Sequence, residues 1–316
     1  MVMRQVCALF LFGFITVGLV GCRTRTNIES RESIAVIDTH IHLYDTTRAE
    51  GVDWPPPADT VLYRPVLPPD FDSVCASNRV YSSVIVEASG RVEDNQWILD
   101  LVAHNPERYA AVIGSLPVGS DEFAPALERF SADPRYKGIR LRARPDGDAF
   151  FENDAVWRDL KLLAEKGLVL DVLLANFSLA DVALIASRVP DLKIMVNHLT
   201  GLEINGEAVD PEWVNEVKKV AVSPNVYCKV SGIFQRSGQS PAPKELAYYA
   251  PVFEVIYEVF GEDRIVYGSN WPVTMRGGTY AEQFKVIDTF FTRKGEEVRR
   301  KLYQTNAQRF YSLTND

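Results

Sequence analysis

Ile34-Ala35-Val36-Ile37-Asp38-Thr39-His40-Ile41-His42-Leu43 is rich in β-branched residues and ends on two histidines one residue apart, the pattern of a buried strand with polar groups at its exit. Seven further short apolar runs follow, at 82–88, 110–116, 138–142, 168–174, 193–199, 226–231 and 264–268. Stretches with helical spacing separate them, at 93–104, 121–132, 153–166, 179–189, 211–222 and 244–260, and a closing region at 280–313 is interrupted near Lys294-Gly295. Strand and helix in alternation imply parallel strands joined by crossover helices. Eight such units predict a single closed (β/α)8 TIM barrel over 34–316, and no glycine-rich dinucleotide fingerprint follows the first strand to suggest an open sheet. The connection from 44 to 69 is long and carries Trp54-Pro55-Pro56-Pro57, a stiff extended segment. A loop of this length in a compact domain usually carries function, and here it is expected to act as a lid in which Arg48, Trp54, Tyr63 and Arg64 either cover a polar ring or, for the aromatic residues, simply pin the loop down.

Lys and Arg total 34 against 42 Asp and Glu in 316 residues, a net charge of −8, which argues against a nucleic-acid partner. With 47% hydrophobic and 24% charged residues the chain has the composition of an ordinary globular protein. Its beginning differs. Arg4 precedes an unbroken apolar stretch from Val6 to Val20, too short to span a bilayer and suited to a secretory signal over 1–21. That stretch closes on Leu19-Val20-Gly21-Cys22, which resembles a bacterial lipobox. Cys22 is therefore expected to carry lipid, residues 22–33 to form a tether, and the membrane to be touched through that anchor alone, on the periplasmic side or outer membrane of a bacterial envelope. With Cys7 in the signal, only Cys75 and Cys228 remain, and both are expected as buried thiols.

Successive strand side chains alternate faces, so Asp38, His40 and His42 are expected to share one face, turned into the barrel mouth where active sites of this architecture lie. Asp38 then falls one layer deeper, as a candidate orienter of the imidazoles. His198 ends the run Ile194-Met195-Val196-Asn197, so three of the four histidines stand at strand ends, and His104 reads as structural. Arg140, Arg142 and Arg144 share a face of the fourth strand, and a guanidinium at a barrel mouth suits a carboxylate or a carbonyl. Arg144, close to Pro145 and Gly147, reads as a solvated loop residue. Glu87 ends the second strand. Asp171, inside the fifth, is either a structural carboxylate or a catalytic one. Lys229, in the seventh, is either a substrate contact or a snorkelling cation.

Asp38-Thr39-His40-Ile41-His42, Lys137-Gly138-Ile139-Arg140, Asn197-His198-Leu199, Cys228-Lys229-Val230-Ser231-Gly232 and Gly268-Ser269-Asn270-Trp271-Pro272 occur in order, one per strand end, before a closing Asn306-Ala307 and Phe310-Tyr311. Together they resemble the amidohydrolase superfamily over about 34–311, and more closely its branch of sugar-acid lactonases and 2-pyrone-4,6-dicarboxylate lactonase-like hydrolases. The resemblance implies that His40, His42 and His198 line a site that binds one Zn²⁺ in some members and works without metal in others, where the histidines hold the substrate carbonyl. It also implies that Arg140 is the family's strand-four arginine and that a strand-eight Asp takes a proton from the attacking water. In this chain Asn270 stands at that place. An amide carries no negative charge and cannot remove a proton at neutral pH. Three imidazoles and an amide also form a neutral donor set, weaker for a divalent cation than one with a carboxylate. Glu87 is the first alternative base and Asp171 the second.

The expected activity is hydrolysis of a small ester-like carbonyl compound, a sugar-acid or dicarboxylate lactone, by water held among His40, His42, His198 and Glu87 near Asn270. The substrate is expected to be anionic or polyhydroxylated and to meet Arg140, Arg142, Lys229, Trp54 and Tyr63. Two rivals remain: a weak or inactive binding protein for a sugar acid or glycan fragment on the same scaffold, and a non-hydrolytic decarboxylase.

Overall fold

Eight parallel strands follow one another around one sheet in chain order: β1 (Val36–Ile41), β2 (Val80–Val86), β3 (Tyr109–Gly114), β4 (Tyr136–Leu141), β5 (Val169–Val172), β6 (Ile194–Val196), β7 (Val226–Val230) and β8 (Ile265–Tyr267). The computed structural model describes residues 34–145 and 147–313, so the expected signal, tether and lipidated Cys22 lie outside the described residues. The ring closes between β8 and β1 through the backbone of the histidine strand itself. Asn270 N donates to His40 O at 2.8 Å, and His42 N donates to Trp271 O at 2.8 Å. The residues that close the barrel are thus the ones that carry the candidate chemistry, which holds them in fixed register.

Helices α1 (Pro68–Asn78), α2 (Glu93–Leu101), α3 (Phe123–Ser131), α4 (Asp154–Glu165), α5 (Leu179–Arg188) and α6 (Pro211–Ala221) cover the outside. After β7 come the single turn α7 (Ile233–Arg236) and the long α8 (Leu246–Phe260), and after β8 come α9 (Tyr280–Lys294), α10 (Glu296–Arg300) and α11 (Asn306–Tyr311). Their starts obey local chemistry. Ser178 caps α5 and Thr279 caps α9, each with an acid three residues on that returns a bond to the cap backbone. No helix among the described residues is long and apolar enough to cross a membrane.

Two apolar layers show which way each strand residue faces. Ile37, Val84, Val86, Ala111, Ile113, Val169, Met195 and Val266 pack with Phe310 and Tyr311, so α11 plugs the barrel interior from below. Val36, Ile41, Ile85, Val112, Ile139 and Tyr267 pack outward with the helices. This corrects the expected placement of Asp38. A register shift between Asp38 and Ile41, opposite Ser83 and Ile85, inserts one extra residue into β1. Such a bulge reverses the alternation. Ile37 therefore faces inward, Asp38 faces the helix layer beside the Tyr267 and Tyr280 hydroxyls, and His40 and His42 return to the interior. Asp38 orients backbone instead of imidazole: its Oδ1 accepts from His40 N at 3.1 Å and Ser269 N at 2.8 Å.

The long loop after β1 is pinned at both ends. Tyr44 and Val66 exchange two backbone hydrogen bonds, of 2.9 and 2.8 Å, and Tyr44 Oη donates to Leu62 O at 2.8 Å. Arg48 pairs with Asp94 at 2.8 Å, and Asp59 pairs with Arg276 beyond β8. Cys75 and Cys228 are buried free thiols, as expected, and burial pushes Cys75 up to about 12, which leaves it unreactive.

Candidate active site

His40 and His42 leave β1 on the interior side, and His198 follows β6, so the three rings meet at the C-terminal mouth. The His40 centroid is 4.9 Å from that of His42 and 4.5 Å from that of His198. The chain bends sharply to do this. His198, Leu199 and Thr200 all have positive φ, at 53°, 51° and 60°, and Asn270 has φ 58°. Left-handed backbone costs a non-glycine residue about 1 kcal/mol or more, and such runs concentrate at functional sites.

Hydrogen bonds define how the rings are protonated. His42 Nδ1 lies 2.9 Å from Val86 O, a carbonyl that only accepts, so Nδ1 carries the proton and Nε2 presents a bare lone pair. That Nε2 is 3.2 Å from His40 Nε2, which can donate to it, and 3.2 Å from Asn270 Oδ1, which only accepts and offers the bare lone pair no hydrogen bond. His198 Nδ1 is 2.9 Å from the Ser231 hydroxyl, and Asn270 Nδ2 donates to Gln235 Oε1. Burial holds all three imidazoles below the usual histidine range. For His42 burial, helped by the Arg140 charge, lowers the value to about 3. For His40 burial is reinforced by Lys229, and for His198 by Arg236 and Arg140. The site is therefore a neutral imidazole cluster at physiological pH.

Over it lies a cavity of about 360 Å³, lined among others by His42, Trp54, Arg140, Arg142, His198, Asn270 and Arg276. Trp54 reaches in from the loop after β1, its ring 5.4 Å from His42 and 5.5 Å from Tyr44. Several expected residues stand elsewhere. Tyr63 is exposed and does not line the cavity. Arg144, expected as a solvated loop residue, is instead mostly covered, paired with Asp181 and lying over Phe151 and Phe177. Lys229 neither snorkels nor lines the cavity. It is fully buried beneath His40, where Nζ donates to Asp171 Oδ2 at 2.7 Å and Thr39 O at 3.0 Å. Asp171 also accepts from Asn197 Nδ2 at 2.9 Å and is fully buried. Both Glu87 oxygens are engaged by guanidiniums: Oε1 is 2.7 Å from Arg140 Nε, and Oε2 is 3.1 Å from Arg142 Nη1. Gln235 and Arg276 went unread in the sequence because each reaches the mouth from a helical turn after its strand, outside any periodic strand pattern.

The donor set can be tested against zinc. Two nitrogens bound tetrahedrally at about 2.0–2.1 Å would stand roughly 3.3 Å apart, close to the 3.2 Å between His40 Nε2 and His42 Nε2. Charge opposes the ion. The nearby carboxylates of Glu87 and Asp171 are taken by Arg140, Arg142 and Lys229, and Lys229 Nζ stands 3.4 Å from His40 Nδ1. Among the described residues no group of three or more His, Cys, Asp or Glu side chains is arranged to hold a metal. The residues present do not fit a resident divalent cation.

Known proteins resemble this chain in sequence or in fold. An L-fucono-1,5-lactonase from Burkholderia ambifaria is 27% identical over 285 residues, covering 88% of this chain and 95% of its own. An L-rhamnono-gamma-lactonase from Scheffersomyces stipitis is 34% identical over 142 residues, 40% of this chain and 42% of its own. A crystal structure of an amidohydrolase from Burkholderia multivorans with bound zinc superposes with a TM-score of 0.79 at 22% identity, covering 88% of this chain and 99% of its own. The amidohydrolase family matches residues 37–313, from the histidine strand through the plugging helix, and the chain belongs to that family.

Proposed function

We propose that the protein hydrolyses a lactone of a sugar acid, with His40 and His42 doing together what an acidic residue in place of Asn270 would otherwise do. The observation that carries this is the 3.2 Å contact between His40 Nε2 and a His42 Nε2 whose lone pair is exposed by the Val86 carbonyl. A hydrogen bond between the two requires the proton on His40. When a lactone carbonyl enters, Arg140 at the cavity wall meets its oxygen, and His42 Nε2, which lines the cavity, takes a proton from water while His40 stays buried beside it. The water oxygen bonds to the carbonyl carbon, and Arg140 stabilises the resulting oxyanion. The ring C–O bond then breaks, the His42 proton passes to the departing alkoxide, and the hydroxy acid loses its carboxyl proton to solvent and leaves as its carboxylate. At about 3, His42 is roughly tenfold less basic than an ordinary carboxylate of about 3.9.

Charge favours a neutral lactone over a dicarboxylate. Arg140 and Arg142 share the single Glu87, and Arg276 is paired with Asp59, which leaves one net positive charge facing the cavity, matched to one oxyanion or one product carboxylate. The lactonase relatives support the same class. The test is turnover of 1,5- and 1,4-lactones of deoxy sugar acids, and of 2-pyrone-4,6-dicarboxylate, in the presence of a chelator. The expected result is hydrolysis of a neutral lactone with kcat/KM at least tenfold above the dicarboxylate. Tight binding without turnover in the wild type, with turnover appearing in Asn270→Asp, would instead identify a binding protein.

A further inference from the structure

Beneath the mouth, Lys229 is wholly buried and holds three protons against three acceptors. Asp171 Oδ2 takes one at 2.7 Å, Thr39 O takes one at 3.0 Å, and the third faces His40 Nδ1 at 3.4 Å. We propose that Lys229 is a positioning residue that locks His40 in the tautomer protonated at Nε2, and thereby commits the site to hydrogen-bond chemistry and against a divalent metal.

Donors and acceptors decide between the tautomers. With the proton on Nε2, a directional chain is complete: Lys229 Nζ donates to His40 Nδ1, His40 Nε2 to His42 Nε2, and His42 Nδ1 to Val86 O. Moving the His40 proton to Nδ1 breaks this chain twice. Nδ1–H then points at an ammonium, and two bare Nε2 lone pairs face each other at 3.2 Å. A metal bridging the two Nε2 atoms would relieve the second conflict, but it demands the Nδ1–H tautomer and so creates the first. A neutral Lys229 amine could accept from Nδ1–H, yet it would leave the Asp171 carboxylate without a countercharge where both side chains are 0% exposed. Nearby, a Cβ on Gly268 would stand 2.8 Å from His40 Cβ and 3.3 Å from Lys229 Cδ, so the absence of a side chain there is what allows the two to approach. His198 provides the contrast: its Nδ1 partner, the Ser231 hydroxyl, can either donate or accept and imposes no tautomer.

This role rests on the place of His40 in the proposed site but not on turnover of any lactone, so it can be tested independently. The full chain labelled with ¹⁵N-histidine, freed of metal with chelator, has only four histidines to assign by two-bond ¹H–¹⁵N correlation. The expected spectrum shows His40 with a protonated Nε2 and a bare Nδ1. A His40 protonated at Nδ1, or at both nitrogens, overturns the proposal in the wild type alone. In Lys229→Met combined with Asp171→Asn, which leaves no unpaired buried charge, the His40 signals should shift toward the Nδ1–H form. Zinc affinity by calorimetry should rise at least tenfold, and unchanged tautomer and affinity in a folded double variant would also overturn it. Failure of lactone turnover with the expected wild-type tautomer would count against the proposed function and leave this inference standing.

Discussion

Glu87 and Arg140, carried at the ends of β2 and β4, meet at 2.7 Å with each side chain only 6% exposed. Arg142 closes on the second oxygen of the same carboxylate, so Glu87 aims two guanidiniums at the cavity and holds one on each of its oxygens. Glu87→Gln should therefore raise KM for the lactone by about tenfold and lower kcat by less than that. It should also cost about 3 kcal/mol of stability, because the Arg140 charge is left buried without its partner. Steady-state kinetics and urea denaturation of the variant measure both. Removal of a general base would instead slow turnover by about a hundredfold or more with KM unchanged, and that outcome would reverse this assignment.

The acid limb of the pH profile reports on His42. Burial and the Arg140 charge lower its value to about 3, so the neutral imidazole that accepts the water proton persists at every pH above that. A depressed value moves the loss of base toward acid, and kcat/KM should stay flat from pH 7 down to about 5. An ordinary histidine near 6.5 would lose about tenfold per unit below that point. A limb with its midpoint near 6.5 in the rate profile would show that His42 is not the base.

Strand order, barrel closure and the three mouth histidines were legible in the sequence because each depends on a local period or on a strand end. What periodicity could not supply was the bulge in β1. Alternation counts residues, and one extra residue between Asp38 and Ile41 moves Asp38 to the opposite face while His40 and His42 keep theirs. Partners in space were likewise hidden. Glu87 reads as a free carboxylate until β4 places Arg140 and Arg142 across from it, and Lys229 reads as a mouth cation until β5 brings Asp171 to 2.7 Å and draws it under His40. Composition gives a charge its sign, but only the barrel's register decides whether that charge is spent on a neighbour or left for a substrate.

Asp38 makes the consequence of the bulge measurable. Turned into the helix layer and fully buried, its carboxyl is raised to about 6, burial outweighing the bonds from Ser269 and His40. The unfolded value is about 3.9, so the folded state binds this proton more tightly. Its contribution to stability is complete below about pH 4 and is lost as pH rises through about 6. The shift of about two units corresponds to roughly 3 kcal/mol. Asp38→Asn keeps an oxygen for Ser269 N and His40 N but has no proton to lose. The stability of the wild type relative to this variant should therefore fall by up to about 3 kcal/mol between pH 4 and pH 7, measured by urea denaturation of both proteins across that range. The direction is the decisive part. An outward carboxyl in an apolar layer must lose relative stability as it ionises, whereas a carboxylate turned into the mouth near Arg140 and Lys229 would gain it. A difference that grows in favour of the wild type toward pH 7 would place Asp38 back beside the histidines and remove the bulge from the account of the site.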